Sequence, residues 1–186
     1  QTPPMVEGPF YPDQLPLDTD NDLILLNDSL TPGVGEITHL TGRILDATGS
    51  PVSGARIEIW QCDNNGIYHH SKGGSRDRLD PHFQGFGRFL TGRDGRYYFR
   101  TIKPSQYAGR TPHIHYAVYV GEERVLTSQI LIRGHGRNGK DALFNRIQEP
   151  AARQAVLADF RPVPGSPAGE LQATFDVVLG LTPEAP

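Results

Sequence analysis

The sequence predicts an all-β protein, a single antiparallel β-sandwich with long loops, an extended N-terminal arm and one or two short helices. Its 186 residues include 21 Gly and 16 Pro, a composition that favours short strands joined by turns. Segments such as Ala55–Trp60 alternate between apolar and polar side chains, as half-buried strands do. Asp94-Gly95 and the stretch Asp46–Pro51 have the residue types of turns. At 37% hydrophobic residues, the chain can bury the core of one domain.

The first 35 residues are predicted to form an extended arm that packs on the body, residues 36–186. Proline blocks helix formation and removes backbone donors. Two apolar stretches of the arm, Glu7–Tyr11 and Leu23–Leu26, are suited to lie against the body. The prolines of the arm are Pro3, Pro4, Pro9, Pro12, Pro16 and Pro32.

The body is predicted to contain about seven strands separated by turns, as in an antiparallel sandwich. Residues 63–94 show little periodicity and form a long excursion, which usually has a function when it is ordered. Residues 141–159 have helical spacing and predict one or two short helices. The segments that we assign to strands are Ile37–Leu45, Val52–Cys62, Arg96–Ile102, Ile114–Val120, Val125–Ile132 and Leu171–Leu181.

Composition argues against several classes of partner. The formal net charge is −3 and no Lys/Arg run is present, so we expect no nucleic-acid partner. No apolar run reaches the roughly 18 residues that span a bilayer, so we expect no membrane partner. Cys62 is the single cysteine, which excludes an internal disulfide or a multi-cysteine zinc site. The compartment stays open between the cytoplasm and export after removal of a signal peptide.

His113 and His115 are the strongest functional signal. Residues i and i+2 of a strand point to the same face, so the two imidazoles form half of a metal site. Tyr68 and Tyr107 are candidates for the other half, because a phenolate is a hard oxygen donor that suits Fe(III) better than Zn(II) or Cu(I). The alternative is that the histidines are structural and the tyrosines belong to the core or its rim.

Arg110 lies between Tyr107 and His113 in the sequence. An arginine beside a metal site can steer an anionic substrate or stabilise developing negative charge. An ion pair with one of the acidic residues is an equally good interpretation of the residue alone.

These motifs together resemble the intradiol ring-cleavage dioxygenases. The similarity covers roughly half the chain, from Gly42 to about Ile132, and Glu7-Gly-Pro-Phe-Tyr11 also matches. It is most specific in three stretches, Pro51–Gln61 with Asn65-Gly-Ile-Tyr68, Leu79–Pro104, and Arg110-Thr-Pro-His-Ile-His115.

The resemblance implies a β-sandwich enzyme that holds Fe(III) and cleaves catechol-type diols with O2 between the two hydroxyl-bearing carbons, giving cis,cis-muconate products. It implies Tyr68 and His113 as equatorial ligands and Tyr107 and His115 as axial ligands. Arg110 matches the arginine beside the substrate, Gln129 a glutamine behind the site and Tyr11 a residue of the pocket. Tyr107 would also accept a proton on leaving the metal.

Two departures from the family pattern carry further expectations. No helical dimerisation segment like that of the catechol and hydroxyquinol branches is present, which favours a protocatechuate-like or stand-alone member. A homo-oligomer is compatible with the apolar arm. The loop from Tyr107 to His113 is short, with Ala108 and Gly109 where an aromatic residue usually follows the tyrosine. We therefore expect an open pocket that tolerates larger catechols.

Two other functions remain open from the residues alone. A transthyretin-like binding module without chemistry would leave Tyr68 and Tyr107 apart from the histidines. A zinc hydrolase would place a carboxylate such as Asp63 beside His113 and His115.

Overall fold

The computed structural model describes residues 1–27 and 29–183; Asp28 and the last three residues of the predicted body, 184–186, lie outside the described residues. The fold is a sandwich of two five-stranded sheets, which confirms the predicted all-β class. The strands of the first sheet are β1 (Ile37–Leu45), β4 (Arg96–Ile102), β8 (Arg161–Pro162), β9 (Leu171–Thr174) and β10 (Val177–Val178).

The second sheet has the strand order β3-β2-β5-β6-β7. Its central pairs β2–β5 and β5–β6 are antiparallel. The short β7 joins β6 in parallel, and β9 and β10 lie parallel to β1, so the sheets are mixed at their edges. The strands are β2 (Ala55–Trp60), β3 (Phe86–Leu90), β5 (His113–Val120), β6 (Glu123–Ile132) and β7 (Leu157–Ala158).

Elements of both sheets differ from their sequence predictions, and the short β7 lies in the range 141–159 that was predicted to be helical. The segment Phe86–Leu90 forms strand β3 inside the excursion 63–94, although its two aromatic residues, Phe86 between two glycines and Phe89, carry little periodic signal. The expected last strand is split into β9 and β10. Between them, Phe175 N–H donates to the carbonyl of Thr41, and Asp176 accepts the backbone N–H and the guanidinium of Arg43. The polar side chain of Asp176 therefore replaces ladder hydrogen bonds at the break.

The main core lies between the sheets and takes alternate residues of each strand. Ile57 and Ile59 of β2 and Ile114, Tyr116 and Val118 of β5 are fully buried there. Since successive side chains of a strand point to opposite faces, the residues between them must lie on the outer face of the second sheet.

That outer face is covered by other parts of the chain. Trp60, His113, His115 and Ala117 point outward and are nevertheless almost fully buried. A second apolar cluster forms over them, in which Tyr68, Tyr107 and the arm residues Phe10 and Tyr11 take part. The cover therefore comes from the arm and from the long segments before β3 and β5.

The arm is held by backbone pairing and by burial of its apolar stretch. Thr2 N–H donates to Val178 and Met5 N–H to Thr127. Leu23 and Ile24 are fully buried in the main core. Among the described residues before β1 there is no helix, and the only β-pairing is the bridge from Asp22 to Arg100. The boundary at residue 35 stays a prediction.

The helices are as short as predicted. α1 covers Ala142–Asn145 and α2 covers Pro150–Gln154, with Asp141 and Glu149 as their N-caps. Within residues 1–27 and 29–183, no helix is long and apolar enough to cross a membrane.

Gly42 is a position of β1 where no side chain fits. A Cβ atom there would lie 1.9 Å from the carbonyl oxygen of Phe175 and 2.7 Å from the hydroxyl of Tyr97, and that hydroxyl donates to the same carbonyl. We predict that Gly42→Ala lowers the free energy of unfolding by roughly 3 kcal/mol, as overpacking does, measured by denaturant unfolding.

The control for this substitution is Gly136→Ala. Among the described residues, no atom lies within 4 Å of a Cβ built at Gly136, so the stability of this variant should stay within about 0.5 kcal/mol of wild type. Equal stabilities of the two variants would contradict the proposed close packing at the β9–β10 break.

Candidate metal centre

The two histidines of β5 converge through the same ring atom. His113 Nε2 and His115 Nε2 are 3.0 Å apart, and both side chains are 1% exposed. His113 Nδ1 lies 2.7 Å from the carbonyl oxygen of Thr111, which requires the proton on Nδ1 and leaves a lone pair on Nε2. The indole of Trp60 stacks on His115 with 5.1 Å between ring centroids. The strand and its neighbours thus fix both rings.

Tyr68 reaches these histidines from a loop that a carboxylate organises. Asp63, buried, accepts the backbone N–H groups of Asn65 and Ile67 on one oxygen and that of Asp80 on the other. The ring of Tyr68 lies 6.1 Å from the His115 ring. Its hydroxyl is buried and has no hydrogen-bond partner among the described residues. A buried hydroxyl without a partner is costly, so this oxygen is a candidate ligand atom.

Tyr107 comes from a two-residue turn between β4 and β5. Ala108 and Gly109 have φ values of +42° and +79°, and Arg110 N–H donates to the carbonyl of Tyr107. Two central residues with positive φ define a type I′ turn. The Tyr107 ring lies 5.0 Å from that of Tyr68 and 5.6 Å from that of His113. The structure therefore brings all four predicted ligands together.

Burial dominates the electrostatics of these four side chains. It raises the pKa of Tyr68 well above its ordinary value and raises the pKa of Tyr107. Burial and the positive charge of Arg110 lower the pKa of His113 to about 4, and burial, with His113 and Arg110 nearby, lowers the pKa of His115 well below its ordinary value. The charge of Arg110 lowers the pKa of both phenols against the effect of burial. The imidazoles are therefore neutral, as metal binding requires.

Arg110 lies at the edge of this group and is held by two side chains. Its Nε donates to Asp141 Oδ2 over 2.7 Å, and its Nη2 donates to Gln129 Oε1 over 2.8 Å. Gln129 stands opposite His115 in the β5–β6 register and donates from Nε2 to the carbonyl of Val6. Arg110 thus forms the ion pair that one interpretation predicted, and its role toward a substrate stays a prediction.

The arm covers the site with residues that the sequence did not single out. Phe10 stacks on Tyr68 at 4.8 Å and meets Tyr107 edge-on at 5.7 Å. Gly8 has φ +75°, and a Cβ there would lie 3.2 Å from Cε1 of His115, so the backbone itself packs on the imidazole. A Glu-Gly-Pro-Phe-Tyr motif in an apolar arm was the signal available for these contacts.

Tyr11 packs beside Trp60 and Phe86. Its hydroxyl donates to Glu58, 2.8 Å away, and its ring meets Trp60 edge-on at 5.0 Å. The hydroxyl is thus committed to a buried carboxylate. A role of Tyr11 in the substrate pocket stays a prediction, and Phe10 is the arm residue that contacts the two tyrosines.

The geometry bears on the two other interpretations. The tyrosines approach the histidines, contrary to what the transthyretin-like binding module predicted. Within the described part of the chain, no group of three or more His, Cys, Asp or Glu side chains is arranged to hold a metal ion. Asp63, the carboxylate that the zinc hydrolase would need, is occupied by three backbone N–H groups of its own loop.

Comparisons with known proteins identify the family of the chain. The sequence profile of the family described as Dioxygenase matches residues 6–180. The chain is 35% identical over 156 residues to the protocatechuate 3,4-dioxygenase beta chain of Burkholderia cepacia, covering 78% of this chain and 65% of that protein. It is 36% identical over 149 residues to the hydroxyquinol 1,2-dioxygenase of Rhizobium sp. (strain MTP-10005), covering 70% of this chain and 47% of that protein.

The chain thus spans about half to two thirds of the length of these curated relatives. Among solved structures, it is similar to the dioxygenase domain of a dioxygenase carbohydrate-binding protein fusion from Streptomyces sp. SirexAA-E. The TM-score is 0.73 at 30% identity, and the match covers 97% of this chain and 99% of that one. With a family profile that covers nearly the whole sequence, the chain belongs to the intradiol ring-cleavage dioxygenase family.

Proposed function

We propose that this protein is an Fe(III)-dependent dioxygenase that cleaves catechol-type diols between the two hydroxyl-bearing carbons, using O2 and giving cis,cis-muconate products. The observation that carries the proposal is the convergence of Tyr68, Tyr107, His113 and His115 in a buried site of a chain that belongs to this family.

The side chains present fit ferric iron. Two neutral imidazole nitrogens and two phenol oxygens are available, and phenolate oxygen suits a hard trivalent ion. The hydroxyl of Tyr68 and Nδ1 of His115 are buried without a hydrogen-bond partner among the described residues. Binding to a metal ion would give the hydroxyl oxygen of Tyr68 a partner. Tyr68, Tyr107, His113 and His115 would hold the ion.

Bound there, ferric iron would supply the Lewis acidity that lets a catechol chelate as a dianion and react with O2. Tyr107 stands on a turn and is less buried than Tyr68, so we assign to its phenol oxygen the role of accepting a proton from the substrate. Arg110 is placed to stabilise negative charge on the substrate ring, and Gln129 holds Arg110. Phe10 and Trp60 exclude water from the ligand side chains.

The substrate class that we propose is broad. Catechol, protocatechuate, hydroxyquinol and larger catechols all carry the adjacent hydroxyl groups that the site requires. Assembly into a homo-oligomer and the compartment in which the protein works stay predictions.

The first prediction of this proposal concerns colour. Protein loaded with ferric iron should be wine-red from tyrosinate-to-iron charge transfer, and its band should move to longer wavelength when a catechol is added under argon. Tyr68→Phe and Tyr107→Phe should each weaken or shift the band, measured by visible absorption spectroscopy. Tyr98→Phe, which alters a tyrosine that hydrogen-bonds His39 on the other sheet, is the control and should keep it. A colourless iron-loaded protein would refute the two-tyrosine site.

The second prediction concerns Arg110. Replacing a preorganised charged donor costs roughly 100- to 1,000-fold in kcat, and we expect Arg110→Ala to fall in that range in an oxygen-uptake assay. Arg161→Ala, at a 73% exposed side chain of the first sheet, should leave turnover unchanged. Turnover of Arg110→Ala within a few-fold of wild type would remove Arg110 from the mechanism, provided that the variant binds iron and remains folded.

The third prediction concerns the short turn after Tyr107. Ala108 and Gly109 are exposed, and no atom of the described residues lies within 4 Å of a Cβ built at Gly109, so the turn itself adds no bulk beside Tyr107. We expect kcat/KM for a catechol with a bulky 4-substituent to stay within about tenfold of that for catechol itself, because an open pocket imposes little steric penalty. Parallel oxygen-uptake assays would measure this. Strict rejection of bulky 4-substituted catechols would show that other residues close the pocket.

A further inference from the structure

Asp141 is a buried carboxylate that joins a helix to the candidate metal centre. It is 2% exposed and uses its two oxygens for different partners. Oδ1 accepts the backbone N–H groups of Leu143 and Phe144 and so caps α1. Oδ2 accepts Nε of Arg110 over 2.7 Å and the backbone N–H of Thr111 over 2.9 Å. A helix cap needs only one acceptor oxygen, so the second oxygen has a separate task.

That second oxygen fixes the plane of Arg110. The guanidinium is planar and presents its N–H groups in a rigid fork. Nε of Arg110 donates to Asp141 and Nη2 donates to Gln129. Nη1 donates to neither of these two side chains. With two of its three nitrogens hydrogen-bonded, the guanidinium can no longer rotate, and the direction of its remaining N–H groups is fixed.

The burial and charge of Asp141 favour a stable ion pair with Arg110. Burial works to raise the pKa of Asp141, but the hydrogen bonds from Arg110, Thr111 and Phe144 outweigh it, and the pKa lies below its usual value. The carboxylate is therefore ionised at neutral pH, and its partner side chain is only 18% exposed. Ion pairs with such geometry are stronger and more directional than surface pairs.

We infer that Asp141 is a positioning residue for the proposed ring-cleavage reaction, which orients the guanidinium of Arg110 toward the substrate held between Tyr107 and the histidines. The inference rests on the proposed function. Asp141 itself contacts none of the four proposed ligands in the described hydrogen bonds and would act through Arg110.

The chain offers a matched control in Glu149. This exposed carboxylate caps α2 by accepting the backbone N–H groups of Ala151 and Ala152, as Asp141 caps α1, but in the described part of the chain it forms no hydrogen bond or ion pair with Arg110. Loss of a cap can thus be separated from loss of the Arg110 contact.

The test compares Asp141→Asn and Asp141→Ser with Glu149→Gln in the iron-loaded protein. Asparagine has one acceptor oxygen and can serve either the helix or Arg110, whereas serine remains a good cap but is too short to serve both partners. Because a misplaced catalytic group costs about 100-fold, we expect kcat/KM for catechol to fall by about 10- to 100-fold in the Asp141 variants. Glu149→Gln should stay within about twofold of wild type.

A second experiment separates a positioning role of Asp141 from a merely structural one. In an Arg110→Ala background, Asp141→Asn should change kcat/KM by less than about twofold, because positions that act through one another are not additive. An equal loss in both backgrounds, or a kcat/KM of both Asp141 variants within twofold of wild type, would overturn the inference.

A readout independent of activity is the exchange of the Arg110 Nε–H proton with solvent, followed by NMR of 15N-labelled protein. This proton should exchange slowly in wild type and in Glu149→Gln, and faster in Asp141→Asn. If the wild-type protein cleaved no catechol, the proposed function would fail, and the contact would be judged on this signal alone. Unchanged exchange in Asp141→Asn would then refute the fixed orientation of Arg110.

Discussion

The site depends on one constraint, the burial of two imidazoles on the outer face of a β-sheet. The alternation of β5 that sends Ile114 and Tyr116 into the main core sends His113 and His115 the other way. That face would meet solvent unless other segments covered it. The N-terminal arm and the segment between β2 and β3 provide the cover, and they bring Phe10 and Tyr68 with them.

Buried carboxylates make these covering segments rigid despite their irregular backbone. A loop inside a protein must satisfy its backbone N–H groups, and here side chains do so. Asp63 accepts hydrogen bonds from three backbone N–H groups in the segment that carries Tyr68. Asp141 accepts three as well, one from Thr111, next to Arg110, and two from the first turn of α1. In the described structure both carboxylates are thus scaffold groups, which is also why Asp63 is not free to serve as a metal ligand.

The sequence predicted the parts of this arrangement that depend on local pattern. Strand periodicity located β1, β2, β4, β5 and β6 and put His113 and His115 on one face. Phenolate chemistry made Tyr68 and Tyr107 candidate ligands, and the family resemblance then singled them out. It did not locate β3, because Phe86–Leu90 becomes a strand only by pairing with β2. Asp141 and Phe10 were also missed, since each acquires its role from partners about 30 or more residues away in the chain, and no local period encodes such contacts.

The orientation of Arg110 connects the segments that cover the site with the proposed reaction. Its guanidinium is held from two directions, by Asp141 at the start of α1 and by Gln129 on β6, and Gln129 in turn donates to the arm at Val6. Three segments far apart in the sequence must therefore be docked before this one side chain has a fixed direction. A donor that is already oriented needs no reorganisation when negative charge develops near it. The docked N-terminal arm would therefore contribute to reactivity as well as to the exclusion of water.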